Sequence, residues 1–121
     1  MLLKQLRLQK ISKKQLILIG RDEDGLYYGE QTLAQLLAKS NTVVETEIQD
    51  WPSVECRGAI EGFYGNPWSH KDRLRQFEFY GKNKMNTYVY GPKDDPYHRR
   101  HWRVAYPEKE AKLLKELASE A

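Results

Sequence analysis

Apolar and polar residues change their spacing several times along this chain, and each change marks an element. Residues 1–20 alternate unevenly between Leu or Ile and Lys or Gln, and within them Gln15-Leu-Ile-Leu-Ile-Gly20 is an apolar run stopped by glycine, which predicts a strand. Arg21-Asp-Glu-Asp-Gly25 predicts a turn. From Leu26 onward Leu33, Leu36 and Leu37, with Ala34 and Ala38 beside them, fall at helical spacing and predict an amphipathic helix of roughly three to four turns, packed on the strands. Tyr27 and Tyr28 serve the same face and are expected in the core or at its shoulder. Thr42-Val-Val-Glu-Thr-Glu-Ile48 predicts a further strand by alternation, and Gln49-Asp-Trp-Pro52 punctuates it, so a domain boundary is expected near Asp50.

The second region repeats a different order. Val54 to Ile60 has the branched and small apolar character of a buried strand, and it breaks into Glu61-Gly-Phe-Tyr-Gly-Asn-Pro-Trp68. There Gly62 and Gly65 permit backbone conformations and close approaches that a side chain forbids, while Phe63, Tyr64 and Trp68 supply flat walls. Ser69 with Asp72 forms a capping pair, and Leu74, Phe77 and Tyr80 form one helical stripe that Gly81 can end. Asn86-Thr-Tyr-Val-Tyr90 predicts a second strand, which empties into Gly91-Pro-Lys-Asp-Asp-Pro-Tyr-His98. Pro107 opens a last helix, with Glu108 and Glu110 in its first turn and Leu113, Leu114 and Leu117 on its buried face. Strand, helix, strand, helix implies parallel strands, and in a barrel of that kind the functional site forms at the strands' C-terminal ends. Both unusual loops stand there.

Composition narrows the function classes. Lys and Arg number 20 against 17 acids, and the charged 31% is mixed along the chain, as on an ordinary soluble surface. His98-Arg-Arg-His-Trp-Arg103 is the one basic and aromatic cluster, whereas a dedicated nucleic-acid binder shows a whole basic face or a known module, so no nucleic-acid partner is expected. No signal-like or membrane-spanning apolar run is present, and no membrane partner is expected. The single Cys56 excludes an internal disulfide and reads as a small apolar residue at the start of the buried strand. His70, His98 and His101 lack companions at structural-zinc spacing, so no metal is expected.

These motifs carry a resemblance. Arg57-Gly58, Glu61-Gly-Phe-Tyr-Gly65, Pro67-Trp-Ser69, Phe79-Tyr-Gly81, Lys84-Met-Asn86, Tyr90-Gly-Pro-Lys-Asp-Asp-Pro-Tyr-His98 and Trp102-Arg103 closely resemble, in order and spacing, the β-N-acetylglucosaminidases of glycoside hydrolase family 84. Gly25 to Leu37 also resembles the close of the small α/β domain that precedes the barrel in families 84 and 20. The resemblance implies an α/β chain in which residues 1–50 end that small domain and residues 51–121 begin a (β/α)₈ TIM barrel. Such a barrel takes about 250 residues, so 121 residues cannot close one, and the chain reads as an N-terminal fragment.

Enzymes acting on 2-acetamido sugars can use the substrate's own acetamido oxygen as nucleophile. The resemblance implies that chemistry for terminal N-acetylglucosamine on a glycan or glycoprotein, with retention of configuration and no cofactor. In the family one aspartate orients the acetamido group and its neighbour is general acid and base, on a later strand than any here. No catalytic residue is therefore expected in this chain, and Asp94-Asp95 are expected to fix a turn through side-chain to backbone hydrogen bonds. Glu61 is expected to support the loop. What the resemblance carries onto this chain is sugar binding: the main chain of Gly62 and the ammonium of Lys93 match positions that hold sugar hydroxyls, and Tyr64 matches a pocket position. A lysine offers three donors, which suits hydroxyl oxygens, although an ion pair with Asp94 or Asp95 is the ordinary alternative. A different class, a non-catalytic carbohydrate-binding or scaffold protein, would keep the same loops without the chemistry.

Overall fold

The computed structural model describes residues 7–12, 15–40 and 42–120, and the alternation expected over residues 1–6 lies outside them. The backbone separates into two units. One runs through Arg57 and takes in Gly81–Lys84, and the other holds Gly58–Tyr80 and the residues from Met85 onward. Among the described residues no helix is long and apolar enough to cross a membrane.

In the first unit β1 (Arg7–Ile11), β2 (Leu16–Gly20) and β3 (Thr46–Asp50) form an antiparallel sheet in the order β2-β1-β3. The sequence predicts one strand before Gly20 and the structure has two. Leu8 and Ile11 stand three apart, so β1 shows no period of two, and it is its pairing on both sides that makes it a strand. The strand expected over Thr42–Ile48 lies further on, at Thr46–Asp50, because its register against β1 runs from Ile11↔Thr46 to Arg7↔Asp50. Val44, at the abandoned end, is 81% exposed.

The helix α1 (Glu23–Lys39) starts earlier than its leucines suggest, and Arg21–Gly25 is not a free turn. Asp22 is its N-cap, accepting the Gly25 N–H at 2.7 Å, and Glu23 and Asp24 place negative charge in the first turn, where the helix dipole favours it. The glycines serve close approach. A Cβ on Gly20 would run into the main chain of Leu26, so the end of β2 and the first turn of α1 touch backbone to backbone. Tyr28 is buried as expected, whereas Tyr27 stays partly exposed with its hydroxyl over Gly81.

The second unit begins with β4 (Gly58–Glu61), which pairs parallel with β5 (Thr87–Tyr90) from Gly58↔Thr87 to Glu61↔Tyr90. Between them runs α2 (His70–Lys82), and after them α3 (Glu108–Glu120). The parallel βαβα order agrees with the expectation. The buried strand from Val54 does not: Val54 and Cys56 are exposed, and pairing starts only at Gly58. The segment is held instead by Arg57, whose guanidinium donates to the carbonyls of Val54 and Glu55 at 2.7 and 3.1 Å.

Ser69 caps α2 as expected, its hydroxyl accepting the Asp72 N–H at 3.2 Å and donating to the Asp72 carboxylate at 2.6 Å. The helix does not stop at Gly81 but runs on to Lys82. It closes with Met85 N–H on the Tyr80 carbonyl and Lys84 N–H on the Gly81 carbonyl, a Schellman ending whose left-handed residue is Lys84 at φ 59°. Lysine tolerates that conformation here because it is tied at both ends. Its carbonyl accepts from Arg57 Nε at 2.8 Å, and its ammonium reaches Asp50 Oδ2 at 2.7 Å and Thr32 Oγ1 at 2.5 Å. Phe77, Tyr80 and Tyr88 pack edge-on and tilted between α2 and β5, with ring centroids 5.0 to 6.4 Å apart. On α3 Leu117 is buried and Leu114 half-buried, while Leu113 stands at the margin.

Candidate functional site

Both strands of the second unit end in a loop at their C-terminal side, and a carboxylate organises each. Glu61, the last residue of β4, is wholly buried. Arg73 from α2 grips it with two bonds of 2.7 Å, the Trp68 N–H donates to it at 3.0 Å, and the Tyr88 hydroxyl from β5 donates to it as well. Burial by itself raises its pKa, but the bonds from Arg73 and Tyr88, the charge of Arg73 and the Trp68 amide together hold it below the ordinary value. The same bond to Glu61 raises the pKa of Arg73, against the opposing effect of its burial. Glu61 is thus a fixed anion with its acceptor sites used, which agrees with support and not with proton transfer.

The geometry shows what that support does. By catching Trp68 N–H, Glu61 draws together the two ends of residues 62–67, and Phe63 packs on Trp68 at 5.4 Å beneath them. Gly65 turns the loop at φ 107°, where any other residue is strained. Gly62 needs no such conformation. A Cβ there would meet only Ile60 Cγ2 at 3.3 Å and the Gly91 carbonyl at 3.9 Å, so glycine leaves its main chain open to an incoming group.

The second loop is folded around Asp95. Its carboxylate accepts the Tyr97 N–H at 2.7 Å, the Tyr90 hydroxyl at 2.7 Å and the Tyr106 hydroxyl at 2.9 Å, as expected of a turn-fixing residue and more. Burial raises its pKa, and these donors outweigh it and bring it below the usual range. Conversely burial, and then Asp95, push the Tyr106 phenol up to about 12. Asp94 is exposed. Lys93 sits just before this knot, its carbonyl held by Arg99 at 3.0 Å. Among the described residues Lys93 has no carboxylate partner, and its ammonium lies 5.8 Å from the centre of the Tyr64 ring.

The three residues singled out for sugar binding therefore come together: Gly62 near Gly91, and Tyr64, 85% exposed, facing Lys93. A cavity of about 300 Å³ is lined by Trp68, Arg73, Tyr90, Asp95, Tyr106 and Leu117, and none of the three is in its wall. Sequence reasoning missed Arg73. The signal was available, since Arg73, Phe77 and Tyr80 stand at i, i+4 and i+7, which puts a cation on the apolar face of α2 opposite a lone carboxylate. His70 pairs with Glu116 at 2.9 Å and His98 lies 3.8 Å from Asp95, and among the described residues no group of three His, Cys, Asp or Glu could hold a metal ion.

Known proteins resemble this chain in sequence and fold. The family model described as beta-N-acetylglucosaminidase matches residues 57–121, and that of glycosyl hydrolase family 20, domain 2, matches residues 8–51. The chain belongs to the beta-N-acetylglucosaminidase family, glycoside hydrolase family 84, as its motifs lead one to expect. The solved structure of CpGH84B is 43% identical, with a TM-score of 0.88, over 95% of this chain and 20% of that one. A mutant of the Thermobaculum terrenum O-GlcNAc hydrolase is 52% identical over 54% of this chain and 14% of its own, with a TM-score of 0.52. The Protein O-GlcNAcase of Rattus norvegicus is 47% identical over 64 residues, which are 53% of this chain and 7% of that protein.

Proposed function

We propose that this chain supplies part of the sugar pocket of a retaining, substrate-assisted β-N-acetylglucosaminidase that acts on terminal N-acetylglucosamine, including sugar linked to protein. Residues 1–50 close the small α/β domain, and residues 51–121 are the first strand and helix units of a TIM barrel whose later strands complete the site. In this reading Gly62 offers its main chain to a sugar hydroxyl, Lys93 donates to another, and Tyr64 walls the pocket. No residue here matches the aspartate pair of the family, so the reacting groups belong to the rest of a longer protein.

The observation that carries the reading is the meeting of Gly62, Tyr64 and an ammonium that has no carboxylate partner among the described residues, at the C-terminal ends of two parallel strands. Titration of the isotopically labelled chain with N-acetylglucosamine tests it. Amide shifts confined to residues 62–65, Gly91, Lys93 and Asp94, weakened by Lys93→Ala without a change in melting temperature, are expected. The chain alone is expected not to hydrolyse an aryl β-N-acetylglucosaminide. Shifts absent or scattered would remove these residues from the site, and turnover by the purified chain would move the chemistry into it.

A further inference from the structure

Each loop has its own closure: Glu61 with Trp68 N–H for the first, Asp95 with Tyr97 N–H for the second. Neither needs the other. Yet one side chain is built into both. The Arg73 guanidinium spends Nε and one terminal nitrogen on Glu61, and its central carbon lies over the Tyr90 ring, 5.0 Å from the ring centre. The Tyr90 hydroxyl in turn donates to Asp95 at 2.7 Å. An unbroken path therefore runs from the Trp68 amide through Glu61, Arg73 and Tyr90 to Asp95, with Lys93 lying in sequence between its last two members. Tyr88 also reaches Glu61, but from inside β5, before the second loop begins.

From this path we infer that Arg73 is a positioning residue which couples the two loops, so that the main chain at Gly62 and the ammonium of Lys93 are set by one buried guanidinium. The chemistry of arginine suits that task and lysine's does not. A guanidinium can hold a carboxylate edge-on with two parallel bonds while stacking its face on an aromatic ring, whereas an ammonium has neither a fork nor a face. The side chain of Arg73 is 12% exposed and that of Glu61 1%, so water competes little for either contact. Where two sugar contacts come from separate loops, their mutual spacing decides whether both can be made at once. That last step rests on the sugar-binding reading given above, while the coupling itself does not.

The test reads both loops of the labelled 121-residue chain at once. In Arg73→Lys, which keeps the charge, the amides of Trp68, Asp95 and Tyr97 are expected to shift, and affinity for N-acetylglucosamine to fall on the order of tenfold. In Tyr90→Leu the change is made at the far end, and the Trp68 amide is expected to move although the altered side chain stands at the end of the other strand and bonds neither Trp68 nor Glu61. Confinement of the shifts in each variant to its own loop would overturn the coupling. Should Arg73→Lys fail to fold, Tyr90→Leu decides alone, through the Trp68 amide. A purely structural role would lower melting temperature and leave the two loops' shifts unrelated. If the unaltered chain binds no sugar, the sugar-pocket reading fails, and the coupling is still judged by the amides.

Discussion

In each unit an ion pair ties together distant parts of the sequence, and the two pairs differ in kind. Lys84 and Asp50 in the first unit meet at 2.7 Å with side chains 26% and 37% exposed, so water screens them and shares their hydrogen bonds. Arg73 and Glu61 in the second meet at the same distance with almost no exposure, through two bonds, and with Tyr88 and Trp68 using what remains of the carboxylate. Equal distances conceal unequal consequences. The first pair can be lost cheaply because each partner returns to solvent, whereas a lone survivor of the second is a charge trapped away from water.

The largest effect should therefore follow Glu61→Ala. It strands the Arg73 charge and opens the first loop, and a loss of about 3–5 kcal/mol is expected, read as early amide exchange in β4 and β5 ahead of the sheet of the first unit. Equal protection of both sheets would show the buried pair to be no stronger than the exposed one. Acid sharpens the contrast. The folded-state pKa values of Glu61 and Asp95 are lowered from 4.5 and 3.8, so their stabilisation is full above those values and is lost as pH falls through the folded ones. The second unit should loosen on that side of the pH scale, seen as shifts of the Trp68 and Tyr97 amides in a titration.

The smallest effect is expected at Lys84. Lys84→Ala removes a half-exposed pair worth roughly 0–1 kcal/mol. Lys84→Gly removes the same pair but relieves a left-handed residue, a gain on the order of 1 kcal/mol, and should come out close to neutral in a denaturant titration. If both variants lost several kcal/mol, the screening argument would fail.

Legibility followed the range of the interactions involved. The cap of Ser69 and Asp72, the opening of α3 after Pro107 and the parallel order of the second unit are local or follow from order, and all were readable. The sequence is silent where a partner is remote. The central strand β1 owes its existence to neighbours on both sides, the exposed Val54 and Cys56 look apolar yet pair with nothing in a sheet, and Gly81 looks like a stop but makes room for the Tyr27 hydroxyl. In the candidate site Gly62, Tyr64 and Lys93 could be named from the motifs. Their assembly could not, because Arg73 joins a carboxylate 12 positions away to an aromatic on another strand.

The phenols around these carboxylates give the molecule a built-in optical gauge. Burial raises the pKa of Tyr80, Tyr88, Tyr90 and Tyr106 above the ordinary 10.0, and adjacent carboxylates add to it. A phenol whose folded pKa is raised stabilises the fold fully below about 10 and withdraws that support as alkali takes the pH toward the folded value. Tyrosinate absorbance from these residues should thus lag behind that of freely ionising phenol and then rise together as the knot gives way. An ultraviolet titration, with no label and no substitution, would follow the opening of the second unit from the basic side.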